Sequence, residues 1–379
     1  MIPLGISPAE RRALLRTLAA PDHTVGIRVW LLDLEHNTLD DLTDQVQSGQ
    51  VNIDAHAEVT RQLQMTLVDP SFRVGIDTRD GTPRLDRMIR AYYTVLVDGE
   101  WVGIPIFTGP VTIARRSEGQ INVEAMGKEH LALTPSWTPR TYKRNSNRVE
   151  VIRSIMRDLA GEEKLLLPKG WESRLARDLS LSKEVAPWAA AKGTVAAGMN
   201  RQLYYDGRGH CRLRKTPVRP VFTFRDGPGG MVTGLGELEE RASDIINVVE
   251  VTGATPSGKS KPITARAYLP EEHPHSPKNL GRRGRWRHFP EEISDDTIRS
   301  TAEAQRVADR RIKEIQVDEQ TLSFSCLPMP LLEELDPVAI DTEQVKATVR
   351  VAKMTIPFGA SGDSTIGLLT PVKKRRRGM

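Results

Sequence analysis

The run Ile245-Ile-Asn-Val-Val-Glu-Val-Thr-Gly-Ala-Thr-Pro-Ser-Gly-Lys-Ser260 decides how this chain is read. Its first part, up to Gly253, is strand-like. Its last part, Gly253–Ser260, matches the phosphate-binding pattern G-x-x-x-x-G-K-[ST] in full. Such a loop works only between a strand and a helix, because the helix's first amides and its dipole hold the phosphates. A strand precedes the octapeptide, but Pro262 comes almost at once after it and the next segment closes at Pro270. Within it Ile263, Ala265 and Ala267 recur with period two, which predicts a strand and not a helix. Val338-Ala-Ile-Asp341 is the nearest candidate for a magnesium-binding strand end, and it is short. The octapeptide therefore reads as a polar hairpin loop, with a nucleotide-binding enzyme as the alternative.

Downstream, Ser300-Thr-Ala-Glu303 is a capping box, and Ala304, Val307, Ala308, Ile312 and Ile315 form an apolar stripe, so a helix is expected over 300–316. Leu322, Phe324 and Cys326 alternate with Thr321, Ser323 and Ser325. Val345, Ala347, Val349 and Val351 alternate with Lys346, Thr348 and Arg350. Residues 359–379 are Gly-, Ser- and Thr-rich, then basic, with no period, and read as a tail.

Upstream, Ser7-Pro8-Ala9-Glu10 caps a helix over 7–19. Strand patterns then run to about residue 130: Val25, Ile27, Val29 and Leu31; Leu63, Met65 and Leu67; Ile121, Val123 and Ala125. Ile89–Val97 and Glu100–Phe107 flank Asp98-Gly99, a hairpin turn. The middle of the chain differs. Val149, Ile152, Met156 and Leu159 share a helical face closed by Gly161, Pro187–Ala197 reads as a second helix, and a hairpin joins Arg201–Tyr205 to His210–Lys215.

Composition narrows the class. At 379 residues the chain is long enough for two or three domains, and 39% apolar residues with 25 prolines and 29 glycines suit a turn-rich globular protein. No window has the roughly 18 consecutive apolar residues of a membrane span, and the N-terminus lacks the pattern of a secretory signal. Cys211 and Cys326 lack metal-ligand spacing and read as buried thiols. The net charge of +5 resides in Lys373, Lys374, Arg375, Arg376 and Arg377; without them basic and acidic totals are equal, which disfavours a general nucleic-acid-binding body.

Other candidates are weaker. His273-Pro-His275 beside Glu271 and Glu272 lacks a third metal ligand at helical spacing and reads as a solvated loop. Arg282-Arg283-Gly284-Arg285-Trp286-Arg287-His288 mixes charge with an aromatic; it reads as a charged loop at a subunit contact, with a nucleic-acid grip as the alternative. The pairs Glu291-Glu292, Asp295-Asp296 and Glu333-Glu334 have no organising histidine and read as helix-end and loop charges. No hydrolase, zincin or catalytic Cys–His signature appears, so no enzyme activity and no cofactor or metal is expected. Lys373–Arg377 are the candidate partner-binding residues, with a DNA-binding module as the alternative reading of this tail.

The order of elements resembles the phage tail hub family, which includes the baseplate hub protein of contractile tails and the tail-associated hub of siphophages. The resemblance rests on the strand Asn247–Gly253, the Gly281-Arg282 turn, the Ala-rich helix, the Thr-Leu-Ser-Phe strand, Pro328 and Pro330, the Leu-Glu-x-x-Asp-Pro-Val element and the closing Met354-Thr-Ile-Pro-Phe358. Gly49–Asp54, Val59–Arg61, Thr66–Asp69 and Ile106–Val111 resemble the family's first tube-like domain, and Trp188 with Leu203–Gly207 its inserted domain. The resemblance implies a mainly β fold with an α+β insert: two tube-like antiparallel β-barrel domains plus a small α/β domain. The expected organisation is an N-terminal helical arm (1–23), a first tube-like domain (24–130), an inserted α/β domain (131–240), a second tube-like domain with a flanking helix (241–358) and a basic tail (359–379). It further implies a homotrimer in the virion tail tip, assembled in the host bacterial cytoplasm. Such a hub joins a sixfold tail tube to a threefold tip and forms part of the DNA channel. Its partners would be the distal tail or tail tube protein, the tape measure protein and other tail-tip proteins, with genomic DNA passing transiently.

Overall fold

Period-two patterning builds the largest share of the structure: 42% of the described residues are strand and 18% helix, so the fold is mainly β. The structure, a computed structural model, describes residues 2, 4–20, 22–69, 82–117, 119–196, 199, 201–215, 217–238, 245–255, 261–295, 298–318, 321–359 and 364–369. The chain divides into two units. One comprises Met1–Leu235, Phe324–Lys346 and Val351–Gly367; the other comprises Gly236–Ser323, Ala347–Arg350 and Leu368–Met379.

The first unit opens with α1 (Pro8–Ala19), whose capping box is formed as expected: Ser7 Oγ accepts the Glu10 amide, and Glu10 accepts the Ser7 amide. Strands β1 (Val25–Leu32), β2 (Thr38–Asp41), β3 (Val46–Asp54), β4 (Arg61–Asp69), β5 (Met88–Val97), β6 (Glu100–Ser117) and β7 (Gly119–Met126) come next. They pair antiparallel in the order β3-β4-β7-β6-β5-β1-β2. The Asp98-Gly99 turn sets Val97 opposite Glu100, and β6 serves two neighbours by pairing with β5 up to Pro110 and with β7 from Val111, across a register shift at Val111/Ile113. Val29 and Leu31, Leu63, Met65 and Leu67, and Ile121, Val123 and Ala125 are buried, as their alternation predicts.

The middle segment builds its own apolar core within this unit. Strand β8 (Arg140–Tyr142) precedes α2 (Arg148–Ser154), which Asn147 caps and which continues as a π-helical turn over Ile155–Leu159. Short strands β9 (Leu165–Leu166) and β10 (Leu179–Leu181) lead to α3 (Pro187–Ala189) and a second π-helical segment, Ala190–Ala196. The hairpin β11 (Gln202–Tyr205) and β12 (Cys211–Arg214) completes it. Trp188 lies 5.3 Å from Tyr205 between ring centroids, in a core with Ile152, Met156, Val195 and the buried thiol Cys211. Strands β13 (Phe222–Arg225) and β14 (Val232–Leu238) succeed this segment.

In the second unit, β15 (Val248–Gly253) lies between β16 (Thr264–Tyr268) and β17 (Pro290–Asp295). Helix α4 (Thr301–Asp318) covers one face of this sheet: Ala304, Ala308, Ile312 and Ile315 pack on Val249, Val251, Ala265, Ala267 and Leu269. Ser300 caps the helix by accepting the Glu303 amide at 3.2 Å. Strands β18 (Thr321–Cys326), β19 (Pro337–Asp341), β20 (Lys346–Pro357) and β21 (Ser364–Leu369) close the chain; β20 joins the large sheet beside β3, and β13 pairs with β19.

Three features differ from expectation. No sheet among the described residues closes into a barrel. Pairing in the expected second tube-like domain is not antiparallel throughout: β15–β17 is parallel, and β19 pairs in parallel with β13. The stretch 359–379 is not all aperiodic, because Ser364–Leu369 form β21 with Ile366 buried. Lys373–Arg377 lie outside the described residues. Among the described residues no helix is long and apolar enough to cross a membrane.

Candidate interaction surface

The octapeptide Gly253–Ser260 begins at the end of β15, and only its first three residues are described; Pro256–Ser260 lie outside them. Those three already show a hairpin. The Gly253 amide donates to the Ile263 carbonyl at 2.7 Å, the Ile263 amide donates back to Ala254, and the Ala254 amide is taken by Ile298 at 2.9 Å. The Gly253 and Ala254 amides are thus engaged within the protein, and the chain enters strand β16 where a phosphate loop needs a helix. Gly253 has a packing reason: a Cβ there would stand 2.6 Å from the Ile298 carbonyl oxygen.

The arginine-rich segment is the more organised feature. Arg282 and Arg285 exchange both backbone hydrogen bonds, and Arg283 (φ 52°) with Gly284 (φ 75°) makes the turn between them. Beyond it the Arg287 amide donates to the Pro277 carbonyl. Asn247, fully buried at the start of β15, anchors the base: its Nδ2 donates to the carbonyls of His275 and Arg287, and its Oδ1 accepts the Phe289 amide at 2.8 Å. Trp286 is 51% exposed and meets Tyr268 edge-on at 6.1 Å, with His288 beside both; Arg287 stacks over Phe289 at 4.8 Å. The result is a fixed arm that holds four arginines and an aromatic cluster in solvent. Arg282, Arg283, Arg285 and Arg287 form no ion pair among the described residues.

The remaining candidates separate. His273 and His275 sit at the root of this arm, 5.7 Å apart between rings, and burial, then the neighbouring His275, pushes His273 below its ordinary range. Among the described residues no group of three or more metal-type side chains gathers. Glu291 takes Arg311 of α4 at 2.8 Å. The Asp296 half of Asp295-Asp296 lies outside the described residues.

Glu333 and Glu334 do lie in a turn, as the sequence reading has it, but they are buried there, which that reading did not foresee. They belong to an ionic core in the first unit. Leu335, between them and Asp336, adopts φ 59°, a left-handed turn in the chain carrying the three acids. Glu334 accepts Arg61 at 3.3 Å and Gln202 at 3.1 Å; Glu333 accepts Tyr204 and Arg214; Arg214 also reaches Asp336. Arg61, only 2% exposed, donates as well to the carbonyls of Ile106 and Tyr205. Glu129, wholly buried nearby, is pushed up by burial. Carboxyls outnumber guanidiniums here, and burial, set against Arg61, raises Glu334 to about 7. The arrangement holds β4, β11, β12 and the 333–336 turn together. Sequence reasoning missed Arg61 although it falls in phase with buried Leu63, Met65 and Leu67.

No family model and no curated protein matches the sequence. Solved structures do match its fold. The 43 kDa tail protein of prophage MuSo2 from Shewanella oneidensis superimposes over 91% of this chain and 98% of its own, with a TM-score of 0.60 at 12% identity. A tail protein from Neisseria meningitidis MC58 does so over 91% and 97%, with a TM-score of 0.61 at 11% identity. Prophage tail protein gp18 from Listeria monocytogenes EGD-e covers 92% and 95%, with a TM-score of 0.52 at 11% identity. The chain has the fold of phage tail proteins.

Proposed function

We propose that this chain is a minor tail protein of a phage, a structural and non-catalytic subunit that forms a trimeric hub at the distal end of the tail. The observation carrying this reading is the fold likeness to tail proteins over nine-tenths of the chain and nearly all of theirs. In the proposed hub, residues 24–130 and 241–358 act as two tube-like domains per subunit, barrel-like only in the assembled ring, with 131–240 as an insert and 1–23 as an arm. Three copies then present six such domains to a sixfold tail tube and three-fold symmetry to the tip. The ring surrounds part of the DNA channel and sits in the virion, after assembly in the host bacterial cytoplasm. Its neighbours are the distal tail or tail tube protein, the tape measure protein and other tail-tip proteins, and Lys373–Arg377 bind one of these partners.

Two physical features support a structural role. A rigid subunit benefits from polar cross-links that fix one arrangement, and the buried Arg61–Glu334 and Arg214–Glu333 pairs supply them. An assembly subunit also needs exposed charged and aromatic elements for its neighbours, and the 282–288 arm is one. Native mass spectrometry of the full chain at micromolar concentration tests the reading. The expected species has three times the 42.2 kDa chain mass; a monomer at every concentration contradicts it.

A further inference from the structure

The arginine arm has a complement in the same sequence. Residues 33–44, Asp33-Leu-Glu-His-Asn-Thr-Leu-Asp-Asp-Leu-Thr-Asp44, carry five acids and neither lysine nor arginine. They include β2, the last strand on its side of the large sheet, which among the described residues pairs with β1 alone. Its outer backbone groups therefore face away from the sheet. Asn37 fixes the turn into β2 by donating from its amide and from Nδ2 to Asp33, at 2.7 and 2.8 Å. Asp41 is set by Trp30 and Thr43. Glu35 and Asp44 are exposed and form no ion pair among the described residues, and Leu34 and Leu39 are exposed beside them. The edge thus offers acids around two leucines, while the arm offers Arg282, Arg283, Arg285 and Arg287 around Trp286.

We infer that the 282–288 arm of one copy docks on the acidic β2 edge of the next copy, so that each subunit donates its arm and receives another. The two surfaces match in sign, and each carries exposed apolar side chains among its charges, the composition of a specific interface. Since the two surfaces on one chain differ, the contact is head-to-tail, the type that closes a ring when its rotation permits. Both surfaces are preorganised, by Asn247 and the Arg283-Gly284 turn on one side and by Asp33–Asn37 on the other, so docking orders little. This inference rests on the hub reading for its biological meaning, but the contact itself does not depend on it.

The experiment uses the full chain and charge reversals confined to exposed side chains. Arg282→Glu with Arg285→Glu alters the arm, Glu35→Lys with Asp44→Lys alters the edge, and a third protein carries all four changes. Circular dichroism and thermal melting establish that each is folded, and sedimentation equilibrium gives the association constant. Each double variant is expected to associate about tenfold or more weakly than the parent, with the quadruple variant recovering most of the loss. The parent's association is expected to weaken as salt rises from about 0.1 to 0.5 M, in line with screening. Double variants that associate as tightly as the parent, or a quadruple variant that recovers nothing, overturn the arm–edge contact while leaving the trimeric hub standing. Arm-dependent dimers or open chains in place of trimers sustain the contact and sink the hub. A monomeric parent overturns both.

Discussion

Arg61 concentrates what a single residue does in this fold. It occupies an inward position of β4 and spends its donors on Ile106, Tyr205 and Glu334, which lie far apart in sequence. Arg61→Ala leaves a buried carboxylate and two carbonyls without their partner, so a loss of about 3–5 kcal/mol is expected from denaturant unfolding. His36 gives a second test. Its Nδ1 faces Arg90 at 2.7 Å and its Nε2 faces Lys128 at 2.8 Å. Burial, then Lys128 and Arg90, pushes it from 6.5 down to about 3. A folded-state value below the unfolded one means stability present above about pH 6.5 and lost as pH falls toward 3. Glu334 has the opposite sign: raised from 4.5 to about 7, it contributes stability below 4.5 that is lost as pH rises through 7. His36→Asn, which tolerates the φ of 75° there, should flatten the acid side of a melting-temperature profile, and Glu334→Gln the neutral side. A profile unchanged by both substitutions would refute these assignments.

At the scale of elements, the hairpin β15–β16 places a strand where a phosphate loop needs a helix, and local sequence is enough to expect it. Pro262 and the period of Ile263, Ala265 and Ala267 exclude a helix, and β16 forms there. Gly253→Ala tests the packing account of the motif's first glycine: the added Cβ meets the Ile298 carbonyl, and a loss of about 1–3 kcal/mol is expected by thermal unfolding. A glycine kept for nucleotide binding alone would tolerate alanine without loss of stability. The capped α4, the Asp98-Gly99 hairpin and the alternating strands are legible because each is specified by residues within a few positions. Glu333, Glu334 and Asp336 are not, because their burial depends on Arg61 and Arg214 from distant strands. The parallel pairs β13–β19 and β15–β17 are hidden for the same reason. β21 is hidden by its small residues, Ser364 and Gly367, which mask a strand around Ile366. In β20 the buried set changes phase, from Val349 and Val351 to Ala352, Met354 and Ile356, and alternation alone reveals only the first phase.

For the whole molecule, the order of elements carries more than any motif, because a fold survives where sequence identity has fallen to 11–12%. The candidate surface is only partly legible: the sequence shows a basic aromatic segment, but the anchoring by Asn247 and the turn at Arg283-Gly284 need the folded chain. Lys373–Arg377, the basic run visible in composition, lie outside the described residues; the arm is a charged feature among those described. A ring-forming tail hub is tested most directly by cryo-electron microscopy of the purified full chain without imposed symmetry. Threefold rings around an open axial channel are expected, with residues 24–130 and 241–358 alternating about it. Isolated monomers, or compact dimers with no axial opening, would contradict the hub.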